Sequence, residues 1–412
     1  MRLSRKSNIA KSIHIVLPAS KSISNRILIL NALSKEPQPI LNLSDSDDTR
    51  VLQEALKGNL SHIDIGAAGT AMRFLTAFLT MQNGTHVITG SERMQQRPIR
   101  SLVDALRHQG AIIEYIGNEG FPPLRITGNE LIGGDIKFPG DISSQYITAI
   151  MLIAPKVKGG YRIHLDGTIN SRPYIDMTIG ILQKFGINAK WINDDTLVVP
   201  EGELISQKIS IEGDWSAASY WFAIAALLPY TEIKLNTLME NSLQGDSLGK
   251  DIAKLLGVSC RHDNNSVIIK RDSTPAEYLE YDFRNQPDLA QTYVVLCCLL
   301  GTKFKFSGLE SLKIKETDRI DALTRELRKI GYIVGNNGID TMIWDGSTVQ
   351  PSYEAIDTYK DHRMAMSFAI AALTIPNEIT INNPEVVSKS YPSFWNDISS
   401  VLTINNNMAR QY

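Results

Sequence analysis

Cysteine is scarce in this chain: Cys260, Cys297 and Cys298 are the three in 412 residues. An adjacent pair makes a poor disulfide and no metal-ligand spacing is present, so neither a disulfide scaffold nor a metal site is expected. Long hydrophobic runs are lacking too. No stretch reaches the roughly 18 apolar residues of a membrane span. The opening MRLSRKSNIAKSIHIVLPAS is charged and has no apolar h-region, so no secretory signal is expected. These absences point to a cytoplasmic protein with no membrane partner. Excess charge is missing as well, because 42 basic and 44 acidic residues leave a net charge of −2. Nothing in that balance draws the whole surface to nucleic acid, so any anion site must be local. Also absent are a GxGxxG or Walker phosphate loop and any long Pro/Gly/Ser linker. The length still calls for two domains. The best crossing points are around Leu17–Ser20 and Ile211–Trp215; if both are crossings, the first strand belongs with the C-terminal half.

What is present is a recurring unit. A turn of small or polar residues runs straight into about ten apolar ones. The copies are SKSISNRILILNAL from Ser20, GTAMRFLTAFL from Gly69, GDISSQYITAIMLIA from Gly140, GDWSAASYWFAIAAL from Gly213, PDLAQTYVVLCCLL from Pro287 and DHRMAMSFAIAAL from Asp361. The last four recur at roughly 73 residues, a period that argues for repeated structural units. Between them lie short strand patterns (HVITGS, YRIHLDG, TLVVP, SVIIK, TKFKFSG, TMIWDG) and second helices, several closing on glycine. The order strand, helix, strand, helix, two strands predicts an α/β fold, with one doubly wound sheet as the plainer alternative. Each apolar copy reads as a buried helix whose N-terminus, with its unpaired N–H groups, suits an anion.

Several of these helix starts carry chemistry. LPASKSISNR sets Lys21 between Ser20 and Ser22, with Arg26 about one turn on: hydroxyls and N–H groups to hold a phosphate, and cations to neutralise it. GAAGTAMR offers Gly69 for close backbone approach, Thr70, and Arg73 where a cation opposes the helix dipole. Arg97 precedes Pro98, which favours an extended approach into a cleft. Ser143, Ser144 and Gln145 open one helix, and Ser171 and Tyr174 another, as neutral donors for a phosphate or polyol. Asp288 reads as an N-cap or as a general base beside a substrate hydroxyl. KIKETDRI crowds Lys315, Glu316, Asp318 and Arg319, and the spacing puts Lys315 and Arg319 on one helix face. DHRMAM places Asp361, His362 and Arg363 before a buried helix, and Lys389 follows in a late loop. Singly, each also has a reading as a cap or a solvated charge, though three ionisable groups before the buried helix of DHRMAM are hard to place on a surface. Jointly, the cations exceed the needs of one small anion and suit two anionic substrates in a cleft between domains, with Asp288 and Glu316 available for proton transfer.

In order, SKSISNR, AGTAMR, QRPI, SSQ, SRPYIDMT, NSLQGD, PDLA, KETDR, DHRMAM and Lys389 span nearly the whole chain. This series resembles the motifs of the EPSP synthase family, the 3-phosphoshikimate 1-carboxyvinyltransferases. The resemblance implies a two-domain inside-out α/β barrel of six βαβαββ units, three per domain. Residues 18–213 would form one domain and 1–17 plus 214–412 the other, with the active site in the cleft between them. It implies transfer of the enolpyruvyl group of phosphoenolpyruvate to the 5-hydroxyl of shikimate-3-phosphate by a monomer, with no cofactor and no metal. By position, Lys21, Gly69, Arg97, Glu316, Arg319, Arg363 and Lys389 would surround phosphoenolpyruvate. Lys21, Ser22, Arg26, Ser143, Ser144, Gln145, Ser171, Tyr174, Asp288, Ser311 and Lys315 would hold shikimate-3-phosphate. Lys21, Asp288, Glu316 and His362 would be catalytic. The chain departs from the family pattern at Ala19, Ala67, Phe74 and Ser311, where Gly, Asn, Pro and Asn are more usual. Two rivals remain. A UDP-N-acetylglucosamine enolpyruvyl transferase usually carries a reactive cysteine in its N-terminal half, and here none precedes Cys260. A non-catalytic anion binder would not explain the paired acids.

Overall fold

The computed structural model describes residues 1–405. The chain divides into two compact units. One is Ala19–Ile211; the other joins Met1–Pro18 to the chain from Glu212 onward.

Four four-stranded sheets share one topology. In the sheet of His62–Asp64, Thr85–Thr89, Ile112–Tyr115 and Leu124–Thr127, the first two strands run parallel, with Ile63 opposite Ile88. The fourth strand is antiparallel to the second and to the third. The same order holds for the sheet that begins at Ile132–Pro139 and the one that begins at Tyr278–Asp282. In the fourth sheet the first strand is Ser12–Val16, which pairs in parallel with Glu232–Asn236 far along the chain. The two remaining sheets are smaller. Ile40–Leu41 pairs with Ile209–Ser210, and Arg2–Arg5 lies between Ile379–Thr380 and Leu402–Asn405. Alternation explains these strands: Ile13 and Ile15 face inward and their neighbours outward.

Eight helices matter for the site: α1 (Lys21–Leu33), α2 (Gly69–Leu79), α3 (Ser144–Ile153), α4 (Arg172–Lys184), α5 (Trp215–Leu227), α6 (Ala290–Leu300), α7 (Arg319–Lys329) and α8 (His362–Ala369). Six of them are the apolar copies seen in the sequence. In α5 every residue but Ser216 is buried, and α6 is buried from Ala290 to Cys298, as a helix without a polar face must be. Each fully buried large apolar side chain here contributes about 1.5–3 kcal/mol. By contrast α7 is two-faced, with Ile320, Leu323 and Leu327 inward and Asp321, Arg325 and Arg328 outward. The predicted second helices and strands all appear.

Two local expectations fail. Asp288 is not an N-cap: it sits in a short 3-10 turn, Pro287–Leu289, and its carboxylate turns to three cations instead. Lys315 does not share a helical face with Arg319. The helix starts only at Arg319, capped by Asp318, and Lys315 precedes it in extended backbone. A capping aspartate starts the helix later than residue spacing alone suggests.

Candidate active site

In the unit Ala19–Ile211, Ser20 caps α1 by accepting from the Ile23 N–H at 3.4 Å. Lys21 then stands on the first turn, its Nζ 3.0 Å from Asp48 Oδ2. Arg26 lies one turn on and is buried. It donates to Thr178 Oγ1 at 2.9 Å, to Thr148 Oγ1 at 3.3 Å, and to the carbonyls of Ser22 and Tyr174 at 2.8 and 3.2 Å. All of these acceptors are neutral, and burial pushes the Arg26 guanidinium down to about 10, with the Tyr174 hydroxyl opposing only weakly. Ser143 caps α3, and Gln145 reaches Thr70 Oγ1 at 3.3 Å. Ser144 and Ser171 are buried, and Ser171 adopts a left-handed backbone (φ 57°) at the start of α4.

The start of α2 is built differently. Ala68 precedes it and no side chain among the described residues caps it, so its first-turn N–H groups are of the kind that suit an anion. A side chain at Gly69 would place its Cβ 2.7 Å from Arg97 Nη1. The glycine therefore makes room for a guanidinium as well as for a ligand. Arg97 is 8% exposed, and among the described residues its buried Nε has no hydrogen-bond partner. Arg73, which the sequence flagged as a misplaced cation, is structural. It donates to the Gly69 carbonyl at 3.2 Å and the Pro98 carbonyl at 3.0 Å, bracing both residues that frame Arg97.

In the other unit the charges are interlocked. Arg319 is 1% exposed and touches three carboxylates: Asp361 at 2.7 Å, Glu316 at 3.1 Å and Asp288 at 3.2 Å. Burial alone would push its guanidinium down, but Asp361, Glu316 and Asp288 outweigh that and hold it above its ordinary value. Asp288 also meets Arg363 at 2.8 Å and Lys315 at 3.7 Å, and Glu316 meets Lys389 at 2.5 Å. Asp361 caps α8 by accepting from the Arg363 N–H at 2.9 Å, and His362 is buried with Nδ1 3.7 Å from Asp361 Oδ1. Ser311 lies in the 3-10 turn Glu310–Ile314, its Oγ buried and without a hydrogen-bond partner among the described residues.

Lys315, Glu316, Arg319, Asp288, Arg363 and Lys389 thus form one network, although they come from four separate segments. Sequence reading missed Asp48, hidden in the acidic run SDSDD, and the two threonines that hold Arg26. It quoted Asp361 without assigning it a role. It also passed over Asp246, a buried acid that accepts from the Ser216 hydroxyl. Burial, and then the charge of Asp288, push that carboxyl up to about 6.

The fold is that of the enolpyruvyl transferases. A solved EPSP synthase from Acinetobacter baumannii matches with a TM-score of 0.78 at 21% identity, covering 98% of this chain and 99% of that one. The enolpyruvyl transferase NikO from Streptomyces tendae matches with a TM-score of 0.72 at 15% identity, covering 98% of each chain. Sequence narrows the class. The family described as EPSP synthase (3-phosphoshikimate 1-carboxyvinyltransferase) matches residues 57–398. A 3-phosphoshikimate 1-carboxyvinyltransferase of Bacteroides fragilis (strain YCH46) is 52% identical over 385 residues, covering 93% of this chain and 94% of its own length. One of Sulfurovum sp. (strain NBC37-1) is 37% identical over 413 residues, covering 93% and 95%. This chain belongs to the EPSP synthase family, and it is a transferase. Among the described residues no helix is long and apolar enough to cross a membrane.

Proposed function

We infer that this chain transfers the enolpyruvyl group of phosphoenolpyruvate to the 5-hydroxyl of shikimate-3-phosphate, giving 5-enolpyruvylshikimate-3-phosphate and phosphate. Ser22, Arg26, Ser143, Ser144, Gln145, Ser171, Tyr174, Ser311 and Lys315 hold the shikimate phosphate and its ring hydroxyls. Gly69 with the open start of α2, Arg97, Arg319, Arg363 and Lys389 hold phosphoenolpyruvate, and Lys21 serves both ligands.

The observation that carries the mechanism is the Asp288 carboxylate, ion-paired to Arg319, Arg363 and Lys315 yet not buried. An incoming carboxylate or phosphate competes for the same guanidinium groups and frees Asp288 to take the hydroxyl proton. Lys21 or Glu316 protonates the methylene carbon of phosphoenolpyruvate, and the hydroxyl oxygen attacks the neighbouring carbon. The resulting tetrahedral ketal carries both phosphates, and loss of one phosphate reverses the proton transfers. The cations stabilise this crowded polyanion as charge builds on it. His362, beside Asp361 and Arg363, stays among the catalytic groups by family position. This chemistry calls for no metal and no organic cofactor. The free thiols of Cys260, Cys297 and Cys298 fit the cytoplasm, and a monomer is part of the proposal.

The test is product release. Phosphate should appear only when both shikimate-3-phosphate and phosphoenolpyruvate are present. Turnover with UDP-N-acetylglucosamine in place of the shikimate substrate would overturn the assignment.

A further inference from the structure

Asp361 supports two parts of the network, the Arg319 guanidinium and the start of α8, so its own placement needs a cause. The residues just before it are unusual. Tyr359 (φ 53°) and Lys360 (φ 58°) are consecutive left-handed residues, neither of them glycine. Side chains disfavour that backbone, which persists only where the surroundings over-determine it. The Asp361 N–H bonds the Thr358 carbonyl at 2.8 Å and closes the turn locally.

The rest of the restraint comes from one buried acid. Glu326 lies on α7, about two turns beyond Arg319 and so on the same side of the helix. It is 0% exposed. Its Oε1 accepts the Tyr359 hydroxyl at 2.7 Å, and its Oε2 accepts the Asp357 N–H at 3.0 Å. Lys329 sits 2.7 Å from Glu326 Oε2 and also reaches the Ala355 carbonyl at 2.9 Å and Asp357 Oδ2 at 3.2 Å. A buried carboxylate with a cation and two further donors is fully satisfied, so it acts as a rigid anchor. The helix is therefore tied to the same segment at two points, by Arg319 to Asp361 and by Glu326 to Tyr359 and Asp357.

We propose that Glu326 is a positioning residue of the active site. Through Tyr359 and Asp357 it fixes the left-handed pair that aims Asp361, and through Asp361 it fixes Arg319 and the α8 turn that carries Arg363. Glu326 itself touches no substrate. The proposal rests on the assignment of Arg319 and Arg363 to phosphoenolpyruvate made above.

Tyr359→Phe tests it gently, because the ring stays and only the hydroxyl is lost. Tyr359→Phe should raise KM for phosphoenolpyruvate about tenfold while kcat stays within about threefold and KM for shikimate-3-phosphate within about twofold. Glu326→Gln, which keeps an acceptor for Tyr359, should fall between wild type and Glu326→Ala in the same measurement. A lowered melting temperature with both KM values unchanged would reduce the contact to a structural one and overturn the proposal. An equal rise in both KM values would overturn it too. Arg319→Lys, run alongside, separates the two layers of inference. An unmoved phosphoenolpyruvate KM in Arg319→Lys sinks the site assignment. An unmoved KM in Tyr359→Phe beside a raised one in Arg319→Lys sinks the positioning role alone.

Discussion

Arg26 and Arg319 are both buried guanidinium groups, and burial alone pushes each of them down. Arg26 yields to that pressure and Arg319 does not. The difference lies in the partners. Arg26 is held by threonine hydroxyls and backbone carbonyls, so its positive charge is oriented but not neutralised. Arg319 is held by three carboxylates. On the proposed site assignment the first is a receptor: desolvation has already been met, and an arriving anion would recover part of that cost. The second is a set of interlocked acids and cations, where on the proposed mechanism an arriving anion would displace a carboxylate and free it to accept a proton. On the proposed mechanism Arg26 only binds, whereas the network around Arg319 also supplies the proton acceptor Asp288.

Charge-removing variants give the sharpest test of this contrast. Arg319→Ala should destabilise the protein by about 3–5 kcal/mol, because it strands buried Asp361 without its guanidinium partner. Arg97→Ala should leave the urea midpoint nearly unchanged yet cost about 1.5–3 kcal/mol of phosphoenolpyruvate affinity, the value of hydrogen bonds to a charged group. Equal stability losses in denaturant titrations of the two variants would erase the distinction. Next in size, Asp288→Asn should lower kcat by about a thousandfold, within the range of a lost general base, while shikimate-3-phosphate still binds. Near-normal turnover would remove Asp288 from that role.

Asp246 offers a pH test on the acid-rich side. Its carboxyl is raised from 3.8 to about 6, first by burial and then by Asp288. The fold thus favours the protonated form. That contribution is complete below about pH 4 and is lost as pH rises through about 6. Asp246→Asn should flatten the stability profile over that window and gain about 3 kcal/mol at neutral pH. An unchanged slope in urea midpoints against pH would refute it. The smallest effect belongs to the receptor side, where Asp48→Asn should cost about 1 kcal/mol by leaving partly buried Lys21 without its carboxylate.

The helices were legible because an apolar run after a polar turn has few other uses in an α/β fold. α5 and α6 match their runs almost residue for residue. Two-residue strands such as Ile40–Leu41 were not, since their pairing with Ile209–Ser210 depends on distant chain. Among site residues, long cations at helix starts were visible as local conflicts. The conflict at Arg73 was real but resolved structurally, by two carbonyls. Thr148 and Thr178 were invisible, because a threonine inside an apolar helix carries no signal until a guanidinium is seen against it. Glu326 was hidden the same way, looking like one more charge on an amphipathic helix, yet it faces inward.

The pairing of Arg2–Arg5 and Ser12–Val16 with strands beyond Glu232 has a consequence during synthesis. The segment Ala19–Ile211 is continuous, so it can collapse as soon as it leaves the ribosome. Both strands emerge earlier still, but Ser12–Val16 finds its partner only once Glu232–Asn236 is made, and Arg2–Arg5 only once Ile379–Thr380 and Leu402–Asn405 are. Arg2–Arg5 must therefore wait as an unpaired edge much longer than Ser12–Val16, and an unpaired edge is a template for wrong pairing.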